Sequence, residues 1–251
     1  KLIEKINSTF LVMQQVYYVH RIDNINDTNP VQISTIDWLF IVAVDRYKDR
    51  IFYSDESDLW QNNLAGTNES LAKNLFTAPY TITSIDGIDA APDGMLYIVG
   101  TINSVGINRD AITKYDPEAN SGNGAIVSTS FDDVTLSAYL ASPSDIQVKW
   151  PFMYVSVPGG SDGYKILQFA IDPGNNFVLV NHYGTQAASG NDLTTGAFYG
   201  PQQFVSLISN GLIIMDTMNS FSRLVHINNN FLFGWDTVGG ANGSGVNQFN
   251  F

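Results

Sequence analysis

The side chains that could do chemistry fall mostly in polar stretches between apolar runs. Six carboxylates lie there: Asp55, Glu56, Asp58, Asp110, Asp162 and Asp216. Oxygen ligands converging from separate loops can hold Ca²⁺, which takes six to eight of them. Asp55, Asp58, Asp110 and Asp216 are therefore the candidate metal ligands, and calcium is the candidate cofactor. The competing reading is local, because a short carboxylate at the start of a loop accepts N–H bonds from its own turn. Asp55 and Asp216 sit where such caps form. Tyr80, Tyr164 and Tyr199 fall in similar segments and could stack on a sugar or grip a peptide. The histidines, His20, His182 and His226, each lie inside a strand-like run. An imidazole there is an edge or surface residue, not one of several converging zinc ligands. No nucleophile elbow, phosphate loop or dinucleotide fingerprint occurs, so no catalytic residue is assigned.

Composition narrows the partners. Of 251 residues, 44% are apolar, enough for a sizeable core, but only 14% are charged. The polar surface must come from Asn, Ser, Thr, Gln and Gly, which favour turns and strand edges over solvated helices. Twelve basic residues against 24 acidic ones give a net charge of -12. That field repels phosphate backbones and anionic membrane surfaces, so nucleic acid is not an expected partner. It is compatible with a cationic ligand, a metal ion or a basic protein. There is no cysteine, which excludes disulfides, thiolate metal sites and cysteine nucleophiles. No apolar run is long enough to predict a membrane-spanning segment.

Short runs rich in Val, Ile, Tyr and Phe alternate with clusters of Gly, Asn, Asp and Pro throughout, which predicts strands. The best helical stretch is short, residues 68–75. Four stretches resemble one another: 36–55, 85–99, 143–156 and 201–216. Each is an apolar strand, a tight turn and a second apolar strand. Further strand-like runs follow at 111–116 and 125–130, at 165–172 and 177–182, and at 222–228 and 231–236. Tyr53, Tyr97, Tyr154 and Ile214 take equivalent places, about 44, 57 and 60 residues apart, at or above the usual blade repeat. Four hairpin-linked strands per repeat make the blade of a β-propeller. The expected fold is all-β, a single propeller domain over 1–251 with antiparallel four-stranded blades. The blades fall at 1–34 (partial), 35–77, 82–131, 142–184 and 200–237, with 246–251 starting the next. On this reading the chain begins and stops mid-blade and supplies about five blades of six.

Particular residues also carry a family resemblance. Gly196, Phe198, Pro201, Gly211, Asp216, Thr217, Asn219, Arg223, Leu224 and Val225 follow an order that resembles an NHL repeat, although Arg223 lies two residues further from Asn219 than the pattern expects. The run Arg50-Ile51-Phe52-Tyr53-Ser54-Asp55 is similar to the YWTD type of propeller but lacks the Trp. The resemblance implies a six-bladed ring and adds Asn219 and Arg223 to the candidate ligand-binding positions. It implies no single function, since the fold hosts ligand-binding, scaffolding, lyase and lactonase activities.

In such a ring, the loop after the second strand and the loop joining successive blades open on one rim. The expected rim loops are 54–58, 100–110, 158–164 and 216–222, joined by 78–84, 136–142, 185–200 and 238–247. The expected function is non-enzymatic: an extracytoplasmic propeller that binds a protein or glycan through these loops. The competing expectation is a calcium-dependent hydrolase or lactonase that uses the rim carboxylates.

Overall fold

A computed structural model describes the backbone of residues 2–5, 11–15, 18–22, 31–32, 41–45, 48–55, 57–63, 73–158, 165–172, 174, 176–183, 185–186, 197–198, 201–208, 211–218, 221–228 and 231–235. Side chains are described for 43–45, 48–55, 57–63, 73–158, 165–172, 174, 176–183 and 204. The chain divides into two compact units, residues 1–132 and 133–251. Both are built almost entirely from antiparallel strands.

The first unit opens with β1 (Leu2–Lys5), β2 (Leu11–Gln15), β3 (Tyr18–Ile22) and β4 (Val31–Gln32), a four-stranded sheet in chain order. The sequence pattern predicts only a partial blade here. Leu2-Ile3 runs straight into Glu4 and Lys5, too little alternation to read as the inner strand that β1 supplies. The second sheet is β5 (Ile41–Asp45), β6 (Arg50–Ser54) and β7 (Leu59–Asn63). All five residues of β6 are buried, which explains why its sequence shows no in-and-out alternation. Arg50 and Asp45 are ladder partners. The guanidinium lies on Asp45 Oδ2 through Nη2 at 2.6 Å and Nε at 3.1 Å, and its remaining terminal nitrogen pairs with Glu118.

The third sheet departs most from a plain blade. It comprises β8 (Phe76–Thr77), β9 (Tyr80–Ile82), β10 (Gly87–Ala90), β11 (Leu96–Ser104), β12 (Ile107–Asp116) and β13 (Ala125–Thr129). The expected loop 100–110 is not a loop. β11 and β12 continue through it as one ladder from Leu96↔Tyr115 to Ser104↔Ile107. They close on Val105 and Gly106, with φ of 51° and 82°. Two positive φ values define the tight hairpin turn whose twist matches the flanking strands. The expected loop 78–84 also contains strand, since the β8–β9 hairpin pairs with the far half of β11 while β10 pairs with its near half. Between these halves the chain bends sharply against Gly100, where a Cβ would sit 2.1 Å from the Ser84 carbonyl oxygen. Only glycine permits that approach. The sheet curls until Thr77 Oγ1 of β8 accepts a bond from the Ile126 amide of β13 at 3.0 Å. Its inner face carries the core: Ile82, Ile88, Leu96, Ile98, Ile102, Tyr115 and Ile126, joined by Phe52 and Leu59. Between β12 and β13, α1 (Ala119–Gly122) is a single turn broken by left-handed Asn120 and Ser121. Of the expected helix at 68–75, residues 68–72 lie outside the described ones, and 73–75 are not helical.

In the second unit the expected loop 136–142 begins as a helical turn, α2 (Val134–Tyr139). Asp133 caps it by accepting from the Thr135 and Leu136 amides. Next come β14 (Asp145–Lys149), β15 (Phe152–Val157), β16 (Lys165–Ile171) and β17 (Phe177–Tyr183), a four-stranded sheet. The long expected loop 185–200 holds a short parallel pair, β18 (Thr185–Gln186) with β19 (Ala197–Phe198). The last sheet is β20 (Pro201–Ile208), β21 (Gly211–Met218), β22 (Phe221–Asn228) and β23 (Phe231–Trp235). The expected loop 216–222 is largely strand, because β21 runs to Met218 and β22 starts at Phe221. The two sheets meet through Asp145, 4% exposed, whose Oδ2 accepts the Phe204 amide at 3.0 Å.

Candidate functional site

The third sheet positions a site through its overhang. Beyond Gly100, β11 and β12 continue as a hairpin, and β8–β9 lies along it, so four short strands project past the body of the blade. Register divides their side chains between two faces, since directly paired residues share a face and alternate residues change it. Tyr80, Ile82, Ile102, Ser104, Ile107 and Arg109 occupy the inner face. Phe76, Thr81, Thr101, Asn103, Asn108 and Asp110 occupy the outer one.

On the inner face Tyr80 packs on Phe131 at 5.7 Å between ring centroids, and the Arg109 guanidinium covers the same Phe131 ring at 5.0 Å. Arg109 Nη1 also donates to the Phe131 carbonyl at 3.0 Å. The Tyr80 hydroxyl donates to Asp132 Oδ2 at 2.5 Å. That bond, with partial burial and the carboxylate charge, holds the phenol above its usual pKa. Arg109, Phe131 and Asp132 carry no motif and were missed in the sequence.

On the outer face Asn103 Nδ2 donates to Asn108 Oδ1 at 2.6 Å, and Thr101 Oγ1 donates to Asp110 Oδ1 at 3.1 Å. At the tip Val105 is 88% exposed and Ile107 52%. One signal could have found this hairpin. A lone Ile on each arm, Ile102 and Ile107, among polar residues flanks the dipeptide Val105-Gly106, which has the length of a two-residue turn.

The structure places the other candidate residues variously. Asp55 Oδ1 accepts from the Ser57 amide at 3.1 Å, the Ser57 hydroxyl at 3.1 Å and the Asp58 amide at 2.9 Å, so it caps the turn that also carries Asp58. Asp110 lies on the same overhang as Tyr80 but on the opposite face. Asp216 is within β21, directly across the ladder from Arg223 of β22. His182 is exposed on β17, the terminal strand of its sheet. His20 and His226 lie in β3 and β22. Tyr164, Tyr199, Asn219, Glu56 and Asp162 are outside the described residues. Among the described residues no three His, Cys, Asp or Glu side chains come together as a metal-binding group.

Solved structures supply the fold comparison. A gluconolactonase from Xanthomonas campestris matches with a TM-score of 0.61 at 14% identity, over 90% of this chain and 71% of its own. An auxiliary nutrient binding protein from Bacteroides thetaiotaomicron matches at 0.59 and 13% identity, over 96% of this chain and 56% of its own. The fold is a β-propeller. A hydrazine synthase from Kuenenia stuttgartiensis matches at 0.52 and 10% identity, over 87% of this chain and 61% of its own. The propeller thus spans less than two thirds of the last two proteins. No family profile matches the chain, and neither does any curated protein sequence. At these identities the likeness concerns the fold. Among the described residues no helix is long and apolar enough to cross a membrane.

Proposed function

We propose that this is a binding propeller acting outside the cytoplasm, which holds a protein or glycan ligand at the end of the blades where the β8–β9 and β11–β12 hairpins project. On this reading the chain supplies about five blades of a six-bladed propeller.

The observation that carries the proposal is Val105. A β-branched residue at φ 51° is a backbone outlier, and the turn it occupies favours Asn or Asp before Gly. Folding alone gives no reason to keep an 88% exposed apolar side chain there, whereas a contact made on binding does. The nutrient binding protein of the same fold supports this direction.

A second reading, a calcium-dependent hydrolase or lactonase, is favoured by the fold likeness to a gluconolactonase. One experiment separates them: calorimetric melting with and without Ca²⁺, alongside an assay for opening of gluconolactone. The binding reading expects neither a shift nor turnover. It also expects glycan- or peptide-array binding that weakens in Val105→Asn or Tyr80→Ala. A Ca²⁺-dependent gain would be about 2.7 kcal/mol at a hundredfold excess over Kd. If that gain appears with turnover, and Asp216→Ala abolishes both, the binding reading is wrong.

A further inference from the structure

The outer face of the overhang has a chemistry that selects among ligands, and it rests on the binding reading above. One register row crosses four strands, Phe76↔Thr81↔Asn103↔Asn108. At the spacing of neighbouring strands it runs about 14 Å. The Asn103–Asn108 bond leaves the Asn103 carbonyl oxygen and the Asn108 amide nitrogen without partners among the described residues. The Thr81 hydroxyl is likewise unpaired among them. Acceptor, donor and hydroxyl therefore stand side by side, and at the end of the row the Phe76 ring is 53% exposed. Nothing charged lies in the row. In the next row Asp110 accepts a bond from Thr101.

We propose that this face binds a neutral carbohydrate chain. Each sugar hydroxyl both donates and accepts, which matches alternating amide and hydroxyl groups, and a sugar ring's apolar side stacks on an exposed aromatic ring. The alternatives fit less well. A protein partner needs several apolar or aromatic anchors, and this row holds one. A polyanion meets a net charge of -12 and no cation in the row.

The test uses the full chain and neutral hexasaccharides (cellohexaose, laminarihexaose, xylohexaose and maltohexaose) in titration calorimetry, with a heparin hexasaccharide as the anionic control. At least one neutral chain should bind and heparin should not. Phe76→Ala and the double change Asn103→Ala/Asn108→Ala should each weaken binding about tenfold, on the scale of one lost contact set. Val127→Thr, on β13 and outside the row, should leave it within about twofold. All variants change exposed or half-exposed side chains, and unchanged melting curves confirm that they fold. Failure of every neutral chain to bind, or binding that both outer-face variants retain in full, overturns the proposal. Peptide-array binding lost in Val105→Asn without any sugar binding would leave the general binding reading standing and remove only this one. Ca²⁺-dependent lactone turnover would instead remove the general reading.

Discussion

Gly100→Ala should be among the most damaging single substitutions in the first unit. The added Cβ would lie 2.1 Å from Ser84 O, 2.9 Å from Ser84 C and 3.1 Å from Ile85 Cα. All three are main-chain atoms, so no rotamer change relieves the clash. The bend at 83–86 must withdraw from β11 and strain the bonds that hold it there. These run from the Thr83 amide to Thr101 O at 2.9 Å, from the Thr101 amide to Ser84 O at 3.1 Å and from the Asp86 amide to Val99 O at 2.9 Å. Overpacking costs about 1–3 kcal/mol, and two weakened bonds add about 0.5–1.5 kcal/mol each. The smaller entropy of the unfolded Ala chain offsets about 0.4–1 kcal/mol. The net loss should be about 3 kcal/mol.

Urea unfolding measures that loss, and hydrogen exchange at the Thr101 amide locates it. Gly106→Ala is the matched control. It has open space but φ of +82°, so its cost is the left-handed penalty alone, about 1–2 kcal/mol. A loss at Gly100 no larger than at Gly106, with Thr101 protection unchanged, would refute the close-approach argument and with it the bend that sets off the overhang.

Three further outcomes follow from the geometry. Arg50→Ala should cost about 3–5 kcal/mol, because it strands Asp45, 1% exposed, without its cation; Asp45→Ala/Arg50→Leu should recover much of that in urea unfolding. Val105→Asn should raise the unfolding free energy by about 0.5–1 kcal/mol, read as a higher urea midpoint, since Asn tolerates the left-handed turn that Val does not; no gain would remove the strain argument from the proposed function. Alkali should unfold the protein from about pH 10 upward. Burial, aided by Tyr183, pushes Tyr154 to about 12, and burial raises Tyr97 and Tyr115 further. A phenol near 10 when unfolded ionises first in the unfolded chain, so stability is intact below pH 10 and falls as pH climbs through the folded values. Buried Lys73, held below its ordinary value by desolvation, has the opposite sign, and its gain is complete once pH passes the unfolded value of about 10.4. Phenolate absorbance and circular dichroism should therefore change together.

Much of the fold was legible because blades repeat. Buried inner strands such as Ile51-Phe52-Tyr53 and Met153-Tyr154-Val155 announce themselves by unbroken apolar content, and their tight turns fix the spacing. The strands that extend past the blade body were not legible on the same criterion. Asn103 and Asn108 are polar because the outer face of that hairpin meets water, Ser104 and Arg109 lie on its inner face, and four polar residues so close together read as loop. The same holds for 216–222, where Asp216 and Thr217 look like a turn but continue β21. The Asp55 turn was legible as chemistry, since a short carboxylate followed by Ser57 and Asp58 caps itself. What no spacing rule provides is the pairing of Tyr80 with Asp132, residues brought together by the curl of the sheet from opposite ends of it.

That pairing changes what Tyr80 can do. As a loop tyrosine it offers a hydroxyl and a ring to a ligand. In the structure the hydroxyl is already given to Asp132 and the ring lies against Phe131, which Arg109 covers from its own position on β12. A ligand on the inner face would have to displace contacts that the protein satisfies by itself. On the outer face the unpaired groups of Thr81, Asn103 and Asn108 have no such competitor among the described residues, and a ligand there gains bonds without breaking any but those to water. On the proposed reading Tyr80 therefore supports the β8–β9 hairpin, and Phe76, one strand further out, is the ring offered to the carbohydrate.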